Sequence, residues 1–210
     1  MRSPTLMWSG TATIAAAVSL GTALVSGSGP PGVDRWWNET IDANRADWMA
    51  ALALALDHLG GGWVAILVVP SLVIIALLLA RRRRGALFAA AAFLLSAGVV
   101  QLLKNLYGRA RPDDMVVASD FGAFPSGHVA NAATLAVVLY LLIPRTRVAI
   151  AGVVWVVTMA LSRTLLSVHW ATDTLGGALV GAGVPLLLAA WAPIRDAGRV
   201  QRTCDHRTAP

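Results

Sequence analysis

The chain has 210 residues, of which 57% are hydrophobic and 13% are charged, and its formal net charge is +6. This composition excludes an ordinary soluble domain, in which about a quarter of the residues are charged. A positive chain can indicate a nucleic-acid partner, but here no single basic helix collects the cations, so we expect no nucleic-acid binding. The composition predicts a protein embedded in a membrane.

Six apolar stretches approach the length of about 20 residues that a helix needs to cross the hydrocarbon core of a bilayer. They are residues 6–25, 63–80, 86–103, 129–143, 148–161 and 175–191. The fourth and fifth stretches are short unless Gly127 or Arg163 lies near the interface. We predict an all-α, polytopic membrane protein with a bundle of six transmembrane helices.

We expect one domain over residues 1–194, because no linker or repeat divides this part of the chain. Residues 195–210 are polar and are predicted to be a disordered cytoplasmic tail. The first apolar stretch has an alternative interpretation as a cleaved signal peptide, but it is longer than a usual signal core.

Tryptophans and acidic residues are mixed between the first two apolar stretches, where Trp36, Trp37 and Trp48 lie close to Asp34 and Glu39. This amphipathic pattern is typical of helices that lie in the membrane interface. We therefore expect short interfacial helices here. Anchoring is the simpler role for them, and a role in admitting lipid stays open.

The arginines indicate the orientation of the chain. If the N-terminus is cytoplasmic, eleven of the seventeen Lys and Arg residues fall on the cytoplasmic side: Arg2, Arg81, Arg82, Arg83, Arg84, Arg145, Arg147, Arg195, Arg199, Arg202 and Arg207. The positive-inside rule favours this arrangement, with both termini in the cytoplasm. The run at 81–84 is then a topology anchor in preference to a patch for anionic lipid or nucleic acid.

A cationic motif ends the third apolar stretch. Lys104 is followed seven residues later by Arg111 and Pro112, and Arg163 ends the fifth stretch. Snorkelling to the interface explains one cation in such a place, but not this arrangement. A phosphate group has several acceptor oxygens, and arginine binds them in a two-pronged manner whereas lysine offers a point charge.

Two further motifs contain histidine. Ser126, Gly127 and His128 follow Pro125 just before the fourth stretch, where Ser126 is suited to an N-cap and the helix start to binding an anion. His169 and Asp173 are four residues apart, so the carboxylate can reach the imidazole if a helix begins between them. A lone histidine is more often structural than catalytic, but two histidines with a carboxylate and three cations indicate an active site.

The order and spacing of these motifs resemble the type-2 phosphatidic acid phosphatase superfamily, also called the lipid phosphate phosphatases, in its bacterial membrane-embedded branch. That family has a lysine seven residues before Arg-Pro, a Pro-Ser-Gly-His, and a Ser-Arg followed by His and then by Asp four residues later. Each of these letters is present here, within residues 104–112, 125–128 and 162–173.

The resemblance implies a role for each motif residue. His169 attacks phosphorus and forms a phosphohistidine, His128 protonates the leaving oxygen and then activates water, and Asp173 orients His169. The phosphate oxygens are held by Lys104, Arg111, Ser126, Gly127 and Arg163. The scheme requires no cofactor and no metal ion.

The function implied by the resemblance is hydrolysis of a lipid phosphate or diphosphate at the outer face of the bacterial inner membrane. Undecaprenyl diphosphate is the first expectation for the substrate, followed by phosphatidylglycerol phosphate and phosphatidic acid. A phosphotransferase with the same phosphohistidine is the alternative, whereas a vanadate haloperoxidase and a scaffold without activity are disfavoured. The expected partners are the substrate and membrane lipids; the sequence leaves the oligomeric state undecided.

Other polar residues carry weaker expectations. Arg109 is expected to face anionic lipid rather than the substrate. The aspartates after Arg111, Asp120 among them, are expected to lie in a solvated loop rather than to bind magnesium. Gly177 and Gly181 form a small-xxx-small pair that favours packing within the bundle over dimerisation.

Overall fold

The computed structural model describes residues 3–60, 64–191 and 194, and no strand is found within these ranges. The helices are α1 (Pro4–Ser26), α2 (Gly32–Asn44), α3 (Asp47–Gly60), a π-helical turn (Val64–Val68), α4 (Val69–Leu79), α5 (Arg83–Tyr107), α6 (Gly127–Leu142), α7 (Thr146–Leu165) and α8 (Ala171–Trp191). The all-α prediction is confirmed for this part of the chain. The predicted tail, residues 195–210, lies outside the described residues.

Four of the six predicted spans are confirmed as helices that are long and apolar enough to cross a membrane, namely α1, α5, α7 and α8. The second and fourth apolar stretches form the shorter apolar helices α4, of 11 residues, and α6, of 16 residues. The fifth stretch is not short, because α7 continues through Arg163 to Leu165 and reaches 20 residues. The chain is a multi-pass membrane protein.

Helices α2 and α3 occupy the segment where interfacial helices were predicted. Trp36 on α2 and Trp48 on α3 are exposed, as expected of anchors that meet a headgroup layer. Their position in the interface remains a prediction.

Helix α8 packs closely against α1 on one side and α6 on the other, and glycines make both contacts. A Cβ atom added to Gly177 or Gly181 would overlap backbone atoms of Ser126 and Ala130 on α6. On the other side, a Cβ atom at Gly183 would lie 2.6 Å from Thr13 Oγ1 on α1. The expectation that Gly177 and Gly181 pack within the bundle agrees with these contacts, and the two glycines bring the start of α6 against α8.

A left-handed glycine ends α5 and turns the chain toward the motifs. Gly108 has φ of 51°, and its N–H donates to the carbonyl oxygen of Lys104 at 2.9 Å. This conformation is the usual C-terminal stop of a helix and is tolerated by glycine because it has no Cβ. Lys104 therefore lies on the last turn of α5, and the chain folds back over it.

Candidate active site

The three motifs meet at one end of the helix bundle. Lys104 lies at the end of α5, His128 at the start of α6, Arg163 near the end of α7, and Asp173 in the first turn of α8. The N–H of Ser126 donates to the carbonyl oxygen of Asp173 at 2.9 Å, which joins the starts of α6 and α8. The fold thus gathers residues that are up to 69 positions apart in sequence.

Lys104 and Arg111 form the first cationic cluster. Lys104 Nζ donates to the carbonyl oxygen of Gly122 at 2.6 Å and to Asp120 Oδ1 at 3.3 Å. Arg111 Nη2 donates to the same carboxylate oxygen at 2.6 Å, and Arg111 Nη1 lies 3.4 Å from His169 Nε2. Two cations therefore converge on one oxygen beside the predicted nucleophile, an arrangement suited to a phosphate oxygen.

Asp120 lies in an exposed loop, as expected, and it also belongs to this cluster. Its side chain is 64% exposed, so water reaches the ion pairs with Lys104 and Arg111 and weakens them. A phosphate dianion offers more acceptor oxygens than one carboxylate does. Asp120 accordingly holds both cations through exposed ion pairs.

Arg163 and His128 form a second group, which centres on Asp57 of α3. Arg163 Nη1 donates a short hydrogen bond to Asp57 Oδ1, and its side chain is almost fully buried. His128 Nε2 lies 3.1 Å from the same oxygen, outside hydrogen-bonding geometry. Burial by itself raises the pKa of Asp57, but the hydrogen bond and charge of Arg163, with the nearby histidines, outweigh burial and lower that pKa below its usual value.

Sequence reasoning missed Asp57 completely. The available signal was that Asp57 is a lone carboxylate directly after the apolar run of residues 49–56, since an ionised group beside such a run needs a partner. The partner itself was not visible, because Arg163 lies 106 positions later.

His169 and Asp173 are close, but their contact is weaker than a hydrogen bond. Nδ1 of His169 lies 3.6 Å from Asp173 Oδ2, and the imidazole is buried. Asp173 Oδ2 accepts instead from the N–H of Trp170 at 2.8 Å. The Nε2 atom of His169 faces Arg111, so the ring already presents one nitrogen to the cations and the other to the carboxylate.

Burial lowers the pKa of His169 below its usual value. Asp173 opposes this effect, whereas the positive charges of Arg111 and Lys104 act in the same direction as burial. A lowered pKa keeps the imidazole neutral near pH 7, which is the form that can attack phosphorus.

Ser126 occupies the N-cap position of α6, but its side chain makes no capping hydrogen bond. Its Oγ atom is buried and has no hydrogen-bond partner among the described residues. A buried hydroxyl without a partner carries a free-energy cost, so such groups are expected where a ligand supplies the missing contact. At Gly127 an added Cβ would meet only Val100 Cγ1, at 3.8 Å, so packing does not require glycine there.

Arg109 does not face lipid, and that expectation is wrong. Its side chain is 7% exposed and forms ion pairs with two buried carboxylates, Asp34 at 2.7 Å and Asp173 through a shorter contact. The guanidinium also lies 5.8 Å from the ring centroid of Trp170. Sequence reasoning missed this cluster because Asp34 appeared to be one of several acids on an amphipathic helix.

An apolar cavity opens beside His128. It lies between α4, α6 and α7 and is lined by Val69, Asn131, Ala132, Leu135, Trp155 and Met159. Among the described residues, no group of three or more His, Cys, Asp or Glu side chains is arranged to hold a metal ion. The site therefore combines a buried imidazole, converging cations and an apolar recess.

Known proteins resemble this chain in sequence and in fold. A family model described as the PAP2 superfamily matches residues 85–196. The lipid A 1-phosphatase of Rhizobium johnstonii is 33% identical over 108 residues, covering 46% of this chain and 43% of that protein. The lipid A 1-phosphatase of Rhizobium etli is 32% identical over 111 residues, covering 46% of this chain and 45% of that protein. The matches span less than half the length of these relatives.

Two crystal structures resemble most of this chain in fold. The transmembrane PAP2 type phosphatidylglycerolphosphate phosphatase from Bacillus subtilis superposes with a TM-score of 0.77 at 24% identity, covering 87% of this chain and 95% of that chain. LpxE from Aquifex aeolicus superposes with a TM-score of 0.63 at 22% identity, covering 72% of this chain and 92% of that chain. At these identities the likeness shows a shared fold. The family model covers just over half of the chain, and the chain therefore belongs to the PAP2 superfamily.

Proposed function

We propose that this protein hydrolyses a lipid phosphate or diphosphate through a phosphohistidine intermediate on His169. One observation carries the proposal: Nε2 of a buried imidazole lies 3.4 Å from the Arg111 guanidinium, while Nδ1 of the same ring faces Asp173. This arrangement directs one ring nitrogen toward a bound phosphate and the other toward a carboxylate, as a nucleophile and its orienting partner require.

In the first step, the lone pair on His169 Nε2 forms a bond to phosphorus while the bond from phosphorus to the leaving oxygen breaks. His128 donates a proton to that oxygen. In the second step, His128 accepts a proton from water, the water oxygen bonds to phosphorus, and the bond between phosphorus and nitrogen breaks. Lys104, Arg111 and Arg163 offset the negative charge on the phosphate oxygens, and no step requires a metal ion or an organic cofactor.

Ser126 and the N–H of Gly127 complete the proposed phosphate site. The hydroxyl of Ser126 gains the hydrogen bond that it lacks, and the start of α6 places positive dipole ends toward the anion. Asp120 and Asp57 contact the same cations when phosphate is not bound. The substrate therefore exchanges carboxylate contacts for phosphate contacts, which limits the cost of removing its hydration shell.

The proposed substrate is a lipid, because the site lies at the end of a bundle of apolar helices and has an apolar cavity beside His128. His128 is the proposed proton donor to the leaving group, so the lipid portion would enter on this side. Undecaprenyl diphosphate remains our first candidate, followed by phosphatidylglycerol phosphate and phosphatidic acid. The rhizobial relatives are named lipid A 1-phosphatases, which adds a phosphorylated glycolipid to the candidates.

We propose that the site faces the extracytoplasmic side of the bacterial inner membrane. The arginine-rich connection at residues 81–84 and the connection at 143–147 lie at the opposite helix ends from Lys104 and His128. The positive-inside rule would hold those connections in the cytoplasm.

Rapid-quench trapping with a substrate panel labelled at phosphorus tests the chemistry. Wild-type protein should form an acid-labile phosphoenzyme and release inorganic phosphate without a lipid or sugar acceptor. His169→Ala should abolish the label. His128→Ala should slow both steps, and the effect should be smallest for a lipid diphosphate, because the lipid phosphate that it releases is a good leaving group. Asp42→Asn is the control, because the exposed carboxylate of Asp42 pairs with Arg45 on the surface at 2.7 Å.

Two results would contradict the assignment. Label that persists in His169→Ala but disappears in His128→Ala would exchange the two roles. A wild-type protein that releases phosphate with no trapped label under any condition would indicate direct attack by water. Release that depends on an added acceptor would instead identify a phosphotransferase.

A further inference from the structure

Helix α2 carries a carboxylate that the proposed chemistry has not used. Among the residues of α2, all of which the structure describes, Asp34 is the buried one, with no exposed surface. Its Oδ1 atom accepts from the backbone N–H of Thr172 at 3.0 Å, and its Oδ2 atom accepts from Thr172 Oγ1 at 2.6 Å and Arg109 Nη2 at 2.7 Å. Asp34 thus binds the first turn of α8, where Asp173 lies.

Arg109 connects Asp34 to Asp173. Its Nη1 atom donates to Asp173 Oδ1 through a short hydrogen bond and also to Thr172 Oγ1 at 2.8 Å. Asp173 therefore has one carboxylate oxygen on Arg109 and the other on the N–H of Trp170. Neither oxygen is hydrogen-bonded to His169, whose Nδ1 atom lies 3.6 Å from Asp173 Oδ2.

The charges of this cluster do not cancel. Two carboxylates share one guanidinium, so the cluster carries one net negative charge beside the imidazole of His169. An imidazole that bonds to phosphorus through Nε2 while retaining its proton on Nδ1 becomes positively charged. A buried negative charge stabilises that cation, because the surrounding dielectric is low. If Asp34 were neutral, Arg109 would cancel Asp173 and this stabilisation would be lost.

We propose that Asp34, acting through Arg109, is a positioning residue for Asp173 and thereby for the nucleophile. The proposal rests on the proposed function of His169. It makes α2, which precedes the part of the chain matched by the PAP2 family model, a functional component of the site. Asp34 touches no reacting atom, and its effect is transmitted by the placement and net charge of the Arg109 and Asp173 pair.

The test compares Asp34→Asn with Thr172→Val in the full-length protein purified in detergent, with farnesyl diphosphate and dioctanoyl phosphatidic acid as soluble probes. Asp34→Asn removes the charge with little change in shape, whereas Thr172→Val removes the hydroxyl shared by Asp34 and Arg109. The control is Asp42→Asn on the same helix, where an exposed carboxylate pairs with Arg45 at 2.7 Å. The folded fraction of each variant is measured by gel filtration and thermal unfolding.

We expect Asp34→Asn to lower the rate of phosphoenzyme formation per folded molecule by up to about 100-fold, because small misplacements of reacting groups have effects of this size. KM should change by less than about threefold, since the phosphate-binding cations are untouched. Thr172→Val should show the same division between kcat and KM with a smaller loss, and Asp42→Asn should match the wild type.

Wild-type kcat per folded molecule in either Asp34→Asn or Thr172→Val would overturn the proposal, and a loss confined to KM would do so as well. If Asp34→Asn does not fold, Thr172→Val decides the question alone. Absence of phosphate release from the wild type with both probes would contradict the proposed function instead, so the two failures are distinguishable.

Discussion

Replacement of Arg111 by lysine keeps the positive charge but should remove most of the activity. The guanidinium of Arg111 donates in three directions: Nε to the carbonyl oxygen of Asp120 at 3.0 Å, Nη2 to the carbonyl oxygen of Gly122 at 3.1 Å, and Nη1 to the carbonyl oxygen of Val168. Nη1 also lies 3.4 Å from His169 Nε2. A lysine ammonium has its donors on a single nitrogen atom, so it cannot span these acceptors.

The size of the effect follows from the contact that reaches the transition state. A hydrogen bond from a charged donor contributes about 1.5 to 3 kcal/mol. Since 1.36 kcal/mol corresponds to a factor of ten in rate, loss of one such bond to the phosphate should lower kcat/KM by roughly 10- to 150-fold. The remaining contacts hold the loop at residues 120–122 and should affect stability more than rate.

Phosphate release from farnesyl diphosphate, measured per folded molecule, is the assay. Arg35→Lys is the matched control, because Arg35 is exposed on α2 and donates to the carbonyl oxygen of Pro30, away from the site. Vanadate, which resembles the transferring phosphoryl group, should inhibit Arg111→Lys more weakly than the wild type. If Arg111→Lys has the kcat/KM of the wild type, Arg111 only supports the loop and does not bind phosphate.

Three other predictions address packing, ionisation and orientation. Gly177→Ala should lower the free energy of unfolding by about 1 to 3 kcal/mol, because the added Cβ overlaps α6. Gly98→Ala, whose added Cβ meets nothing within 4 Å, should be neutral or stabilising in the same thermal-unfolding measurement. Burial lowers the pKa of His169, so the acid limb of the kcat/KM profile should lie below pH 6.5. Asp173→Asn removes an effect that raises this pKa, so it should shift the limb to still lower pH. A limb above pH 6.5 would contradict a neutral nucleophile. A cysteine at the exposed position of Ser119, in a chain whose native cysteine is replaced, should react with an impermeant reagent in intact cells, and labelling only after lysis would reverse the orientation.

The sequence predicted the helical class, and it predicted which residues form the candidate active site, because both predictions rest on local patterns. Long apolar stretches require helices in a bilayer, since every backbone polar group must be satisfied within the segment. The motif residues lie at the ends of those stretches, so their meeting at one end of the bundle follows from alternating helix directions. The lengths of α4 and α7 were less accessible, because apolar composition does not show where a helix starts or ends.

The partners of the motif residues were decided only by the tertiary structure. Asp57 and Arg163 are 106 positions apart, and Asp34 and Arg109 are 75 positions apart. No local pattern connects such residues, and on sequence Asp34 was one of several acids on its helix. The burial of Asp34 and the partial burial of Asp57 depend on how α2 and α3 pack against α7 and α8. A buried charge requires a partner, but the sequence shows only that the charge exists, and the fold determines which residue meets it.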